Sequence, residues 1–219
     1  MCRPLVLGGV GAAAIVGWWK WFTPRQRAWG ATEEELAMAL PGDELTPPPP
    51  PVEQITRAIT IAAPPEAVWP WLVQLGADRG GFYSYAWLEN LFGLDIHNAD
   101  GIVDEWQQLA VGDWVWAARN RSAGWLVEHL EPNVALVLKA ADPTTGRTTS
   151  RDEGIGFEFQ WTFALRPAPP GATRLLIRER TAHGRRLTRL LMAPVGLVSF
   201  VMTRKMLDEI RVRTESARR

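Results

Sequence analysis

Between Ile155 and Leu165 the chain alternates without a break: Ile155, Phe157, Phe159, Trp161, Phe163 and Leu165 fall on one side, and Gly156, Glu158, Gln160, Thr162 and Ala164 on the other. A period of two sustained this long is the pattern of a β-strand, whose successive side chains point to opposite faces of a sheet. One face of that strand is built for an apolar interior, so the sheet it joins needs a covering layer. Further strands are predicted at Val111–Ala118, Gly124–Leu130, Val134–Ala141 and Thr173–Thr181, separated by turn-rich stretches such as Glu131-Pro132-Asn133 and Pro167–Gly171. An earlier strand, Ile55–Ile61, sets Ile55, Ile59 and Ile61 on one side.

Helical spacing appears in three places. After Pro64-Pro65, which suit a helix start, Val68, Trp69, Leu72, Val73 and Leu75 recur at helical intervals up to Gly76. A second short helix is predicted over Tyr83–Phe92, ended by Gly93. From Arg186 to Ser216 the residues Leu187, Leu191, Val195, Val198, Met202, Met206 and Ile210 are spaced by three or four, the mark of a long amphipathic helix that Pro194 and Gly196 kink near its start. One strand, two short helices, a run of antiparallel strands and a long C-terminal helix together predict an α+β domain. Long antiparallel strands with short loops curl, and a terminal helix laid across them closes the hollow.

Ahead of this domain the sequence changes character. Leu5 to Trp19 contains no charge, and Arg3, Lys20, Arg25 and Arg27 flank it. Residues 1–28 therefore read as an apolar N-terminal helix and membrane anchor through residues 5–22, with the cationic flank placing the main domain in the cytoplasm. The other readings are a helix packed on the domain, which leaves the protein simply cytoplasmic, and a signal peptide, against which the bulky Trp18-Trp19-Lys20-Trp21-Phe22 stands. Residues 29–54 read as a linker: Thr32 and Glu35 form a capping box for a short helix, and Pro47 to Pro51 predict a stiff extended spacer. The domain proper is expected over residues 55–217.

Composition removes several classes of function. Acidic and basic residues balance at 24 each, so nothing points to nucleic acid. A single cysteine excludes an internal disulfide, and three separated histidines present no metal-ligand spacing, so neither a metal nor a cofactor is expected. The 12 tryptophans are the unusual number, and so many indoles call for a large core, a lined hollow or a membrane interface.

The segments TRAITIAAPPEAVWPWLVQLG (Thr56–Gly76), GGFYSYAWLENLFGLDIHNAD (Gly80–Asp100) and FVMTRKMLDEI (Phe200–Ile210) resemble the SRPBCC superfamily, the START-like or helix-grip proteins, and within it a bacterial subgroup. WGATEEE (Trp29–Glu35) and LPGDEL (Leu40–Leu45) resemble that subgroup's lead-in. The resemblance implies a helix-grip fold, a curved antiparallel sheet wrapped around the C-terminal helix, and binding of a hydrophobic or amphipathic small molecule. Polyketide cyclase/dehydrase-like enzymes share the superfamily, as do other activities, so fold fixes function poorly. The chain departs from the subgroup pattern at Ala86, in place of an acid, and at Gly101, in place of a base. The Rieske-type iron ligands of oxygenase members are absent.

Candidate ligand contacts are Trp69, Tyr83, Tyr85, Trp87, Asn90, His97, Trp114, Trp116, Trp125, Phe157, Phe159, Trp161, Glu179, Val198 and Met202. Alternation places Glu179 on the inner side with Leu175 and Ile177, where an unpaired carboxylate costs several kcal/mol, so it should pair with Arg57 at the inward register of the first strand or carry a raised pKa. The same parity sends His129 inward after Trp125 and Val127. Glu179 and His129 facing one hollow would suit the acid and base of a cyclase-like step; a slip of register by one residue turns both to solvent. His97 with Asn98 and Asp100 reads either as a base with its orienting groups or as a loop satisfying its own backbone. Glu89 and Asn90 adjoin on one helix, so one of them should face water. A third reading is a protein-interaction module working through Tyr83–Phe92 and the following loop.

Overall fold

The computed structural model describes residues 23–46, 52–152, 157–183 and 195–217. The apolar run of residues 5–22, the spacer Pro47–Pro51, Ile155 and Gly156, and Leu187 and Leu191 lie outside them.

Seven strands form one antiparallel, curved sheet in the order β1 (Val52–Ile61), β7 (Ala172–His183), β6 (Phe157–Ala168), β4 (Ala135–Asp142), β3 (Gly124–Glu131) and β2 (Trp114–Trp116), with the two-residue β5 (Arg147–Thr148) paired to β4. The predicted alternation is realised in β6, whose Trp161, Phe163 and Leu165 join the inner core with Ile59 and Ile61 of β1 and Leu175 and Ile177 of β7. Helices α2 (Pro65–Val73) and α3 (Ala86–Leu91) follow β1. The long α4 (Val195–Ser216) packs on β1 and α2 and closes the inner face with Met206, Leu207 and Ile210. This is the helix-grip architecture. Its core is one contiguous apolar cluster between sheet and helices, the arrangement that buries the amphipathic stripe of each element at once. Among the described residues no helix is long and apolar enough to cross a membrane.

The outer face of the sheet is also buried, and the segment read as a linker covers it. The capping box forms: Glu35 N donates to Thr32 Oγ1 at 3.2 Å and Thr32 N to Glu35 Oε2 at 2.8 Å, starting α1 (Glu33–Ala37). The same Glu35 takes a fork from Arg174, whose Nε and Nη2 donate at 2.6 and 2.8 Å, and this guanidinium holds the Glu35 carboxyl below its usual range. Four residues on in the pleat stands Arg178, and two further on Arg180. Arg178, 1% exposed, donates to Asp43 at 2.6 Å and to the carbonyls of Met38 and Glu35, while Arg180 donates to the carbonyls of Asp43 and Thr46. Between these cations Leu40 packs on Ala58, Ala164 and Leu176 in a small second core.

Two glycines make the approach possible. At Gly30, with φ +71°, a Cβ would sit 2.1 Å from the Ala58 carbonyl oxygen, and at Gly42, with φ +85°, a Cβ would sit 2.8 Å from the Val137 side chain. Residues 29–46 are thus a strap fastened to the back of the sheet. The parity of β7 announces a cationic outer stripe; which surface neutralises it depends on a segment far away in sequence.

Removing one partner of a buried ion pair leaves the other charge without compensation, at a cost of about 3–5 kcal/mol. Asp43→Ala should therefore lose roughly that much in urea unfolding, because Arg178 stays buried. A loss below about 1 kcal/mol would show that the strap does not hold the domain together.

Candidate functional site

The inner face carries an aromatic row that begins in the core and runs toward one end of the sheet. Trp161 lies 4.8 Å from Phe163, 5.6 Å from Trp125 and 6.2 Å from Phe82, ring centre to ring centre, and Phe82 meets Trp125 edge-on at 5.8 Å. Beyond it Phe159 and Phe157 stack at 6.3 Å, and Phe157 lies 5.7 Å from His183 across the β6–β7 ladder. The row is not uniformly sealed: Phe163 has no exposed surface, whereas Trp125, Phe159 and Phe157 are only half-buried. Apolar surface open on the concave side of such a sheet is what a ligand of low polarity needs.

A polar cluster interrupts this face. Arg57 projects inward from β1, and its Nη1 donates to Glu179 Oε1 at 2.7 Å, the pairing that the alternation of β1 and β7 requires. Both side chains are buried. Two hydroxyls of α4 complete the shell. Ser199 Oγ donates to Glu179 Oε2 at 2.8 Å and Thr203 Oγ1 to Oε1 at 3.1 Å, while Arg57 Nε donates to the Gln26 carbonyl at 3.0 Å. The guanidinium also lies 5.5 Å over the ring of Phe200. Burial pulls the Arg57 pKa down, and the Glu179 charge opposes that pull. Both Glu179 oxygens accept from neighbouring side chains, which ties β7 to β1 and α4.

Ser199, Thr203 and Phe82 are site residues that hydrophobic spacing alone passes over. Ser199, Thr203, Met206 and Ile210 follow one another on α4 by four, three and four, so two hydroxyls in register with an apolar stripe were the available sign.

Several candidates point elsewhere. His129 is turned to the outer face by a bulge between Val127 and His129, where Val127 pairs with Leu138 but His129 with Val137; its side chain is 44% exposed and lies 3.9 Å from Glu131. His129 and Glu179 therefore do not share a hollow. Trp114 and Trp116 flank the fully buried Val115 and so stand on the opposite face, stacked at 4.3 Å over Gly124. Val198 is exposed, because the buried side of α4 runs through Thr203, Met206, Leu207 and Ile210, with Met202 half-buried beside it. Trp69 is half-buried against the core, adjacent to the fully packed Trp71.

The cluster Arg79–Asp100 proves to be a self-satisfied loop with an exposed tip. Asn98 Oδ1 accepts from the amides of Phe82 and Tyr83, its Nδ2 donates to the Ser84 carbonyl, and Asn90 bonds both backbone groups of Ile96. Tyr83 is buried: its hydroxyl accepts from Gln74 at 2.8 Å, and desolvation raises its pKa. Ser84 Oγ donates to the Met202 carbonyl, and Lys205 lies 5.8 Å over Tyr85, joining this loop to α4. His97 is exposed and bonded to Asp95, as a surface loop residue. Trp87, Leu91 and Phe92 are exposed at 69, 74 and 73%. Asn90 is the member of the Glu89–Asn90 pair that faces water; Glu89 is 2% exposed, with no hydrogen-bond partner for Oε2 among the described residues.

No family model matches the chain, and no curated protein matches it significantly. Among solved structures it is similar to protein MLL2253 of Mesorhizobium loti, at 17% identity over 75% of this chain and 98% of that one, TM-score 0.43. It is also similar to CalU16 of Micromonospora echinospora, at 16% identity over 75 and 85%, TM-score 0.36. A third likeness is to a norcoclaurine synthase point mutant of Thalictrum flavum in complex with a transition-state analogue, at 12% identity over 77 and 98%, TM-score 0.44.

Burial pushes the Glu89 carboxyl from 4.5 up to about 7. A carboxyl raised in the folded state contributes its full stability below the unfolded value and loses it as pH climbs through the folded one. Stability should therefore fall between about pH 4.5 and pH 7, and Glu89→Gln should flatten that slope and exceed the parent at pH 8 by roughly 1–3 kcal/mol in urea unfolding. An unchanged slope would mean that Glu89 is solvated.

Proposed function

We propose that the domain binds, and carries, a hydrophobic or amphipathic small molecule on the concave face of its sheet, and that it does so at a membrane surface. The observation that supports binding is the aromatic row itself: half-buried Trp125, Phe159 and Phe157 continue a sealed core, with the Arg57–Glu179 cluster on the same face and His183 beside Phe157. Few polar anchors in apolar walls are what orientation without chemistry requires. The cyclase-like alternative finds less support, since Glu179 is held by Arg57, Ser199 and Thr203 and both His129 and His97 are exposed side chains away from it.

The membrane part of the proposal rests on the uncharged run Leu5–Trp19, flanked by Arg3 and Lys20, and it places the domain on the cytoplasmic side. The exposed Trp87, Leu91 and Phe92 favour a second reading, in which α3 and its loop recognise a protein partner. The two readings concern different surfaces and are compatible.

Native mass spectrometry of the full chain, exchanged into detergent-free buffer, should show a co-purifying apolar molecule, and cell fractionation should leave the chain with membranes after a high-salt wash. Bare polypeptide that also takes up no apolar probe would contradict the binding proposal. Release by salt alone would contradict the anchor.

A further inference from the structure

The uncharged run Leu5–Trp19 ends only seven residues ahead of Gln26, whose carbonyl accepts from Arg57 Nε at 3.0 Å. Three residues further on, the Trp29 ring lies under Arg204 of α4, 5.3 Å away. Seven residues span at most about 25 Å even when fully extended, so a run seated in a bilayer keeps the domain within that reach. The proline run Pro47–Pro51 comes later in the chain and adds nothing to it.

The surface that α4 presents near this point is apolar. Leu197, Val198 and Val201 are exposed at 41, 43 and 41%. Leu197, Val201 and Lys205 follow by fours and so share one side of the helix. Lys205 Nζ lies 5.8 Å over the Tyr85 ring, and Tyr85 meets Trp87 edge-on at 6.5 Å. Leu91 stands one turn after Trp87 in α3, and both are largely exposed. One strip therefore runs from the first turns of α4 across Tyr85 to the tip of α3. Charge along this stretch of sequence is one-sided, since Thr181–Leu207 contains no acid and five cations.

The strip begins at the open end of the hollow. Ser199 meets Glu179 and Glu215 accepts from the Ala62 amide, so α4 runs alongside β1 with its first turn toward Val52. At that end Val52 pairs with Ala182 and Phe157 with His183. Resting on the reading that residues 5–22 anchor the chain, we infer that Leu197, Val201, Tyr85, Trp87 and Leu91 lie on an anionic bilayer surface, with the open end of the aromatic row turned to lipid. Indole and aliphatic side chains suit the boundary between headgroups and acyl chains, and flanking cations suit anionic headgroups. A protein partner would use the same α3 side chains; the short reach from the anchor and the one-sided charge favour lipid.

A polarity-sensitive nitrobenzoxadiazole label on the full chain tests this, with Cys2→Ser and a single introduced cysteine, in vesicles of phosphatidylcholine and phosphatidylglycerol in equal parts. Labels at Val201→Cys and Leu91→Cys should shift to shorter wavelength and lose emission to doxyl-phosphatidylcholine. A label at Glu66→Cys, exposed at the start of α2 beyond the far end of β1, should do neither. Water-like emission at the Val201 and Leu91 positions, from chains that float with the vesicles, would overturn the inference and leave the anchor standing. A wavelength shift without doxyl quenching would overturn it in favour of a protein neighbour or a second copy of the chain. Quenching at Glu66 equal to that at Val201 would also overturn it. Chains that fail to float with the vesicles would overturn the anchor reading and the inference together.

Discussion

A guanidinium with 1% of its surface exposed, placed on the apolar side of a sheet, is the constraint around which this domain is arranged. Once Arg57 faces inward from β1 it needs a counter-charge within reach, and the neighbouring strand supplies Glu179. The carboxylate in turn requires donors from above, which come from Ser199 and Thr203 of the terminal helix. The Gln26 carbonyl draws the segment ahead of the domain onto the same group. Four separated stretches of chain meet in one cluster, and the helix is registered on the sheet by polar contacts as well as by Met206, Leu207 and Ile210. Exchange of a buried ion pair for apolar residues of similar size is often neutral or stabilising, so stability alone is a weak reason for this cluster to exist. The proposed function supplies another, recognition of a ligand's polar end.

The reverse of the sheet repeats the theme with a different solution. Arg174, Arg178 and Arg180 form a cationic stripe that a strap of carbonyls, Glu35 and Asp43 neutralises. Inner and outer faces of β7 are therefore both committed, one to the hollow and one to the lead-in. That arrangement couples residues 29–46 to the strand that carries Glu179.

Much of this was legible from residue order. The alternation of Phe157 to Leu165 and of Leu175 to Glu179 specifies which side chains face inward, and it requires a partner for Glu179 that β1 could supply only at Arg57. The capping box at Thr32 and Glu35 likewise forms as the spacing demands. What was not legible depends on events that periodicity does not encode. A single bulge in β3 reverses the side of His129, and the exposed Val198 shows that α4 is rotated from its simplest stripe; the outer side of Trp114 and Trp116, by contrast, follows from strand parity around buried Val115, which pairs with inward Trp125. Polar residues between Gly80 and Asp100 look like chemistry in sequence. In space most of them close a loop, because Asn98 and Asn90 satisfy backbone groups that no helix or strand serves.

The central claim is that the Arg57–Glu179 cluster serves recognition rather than stability, and the double variant Arg57→Met/Glu179→Leu tests it most directly by measuring urea stability and ligand retention together. The account predicts stability within about 1 kcal/mol of the parent, where Glu179→Leu alone loses about 3–5 kcal/mol, and loss of the bound apolar molecule. A double variant that keeps its ligand at parental affinity would contradict it.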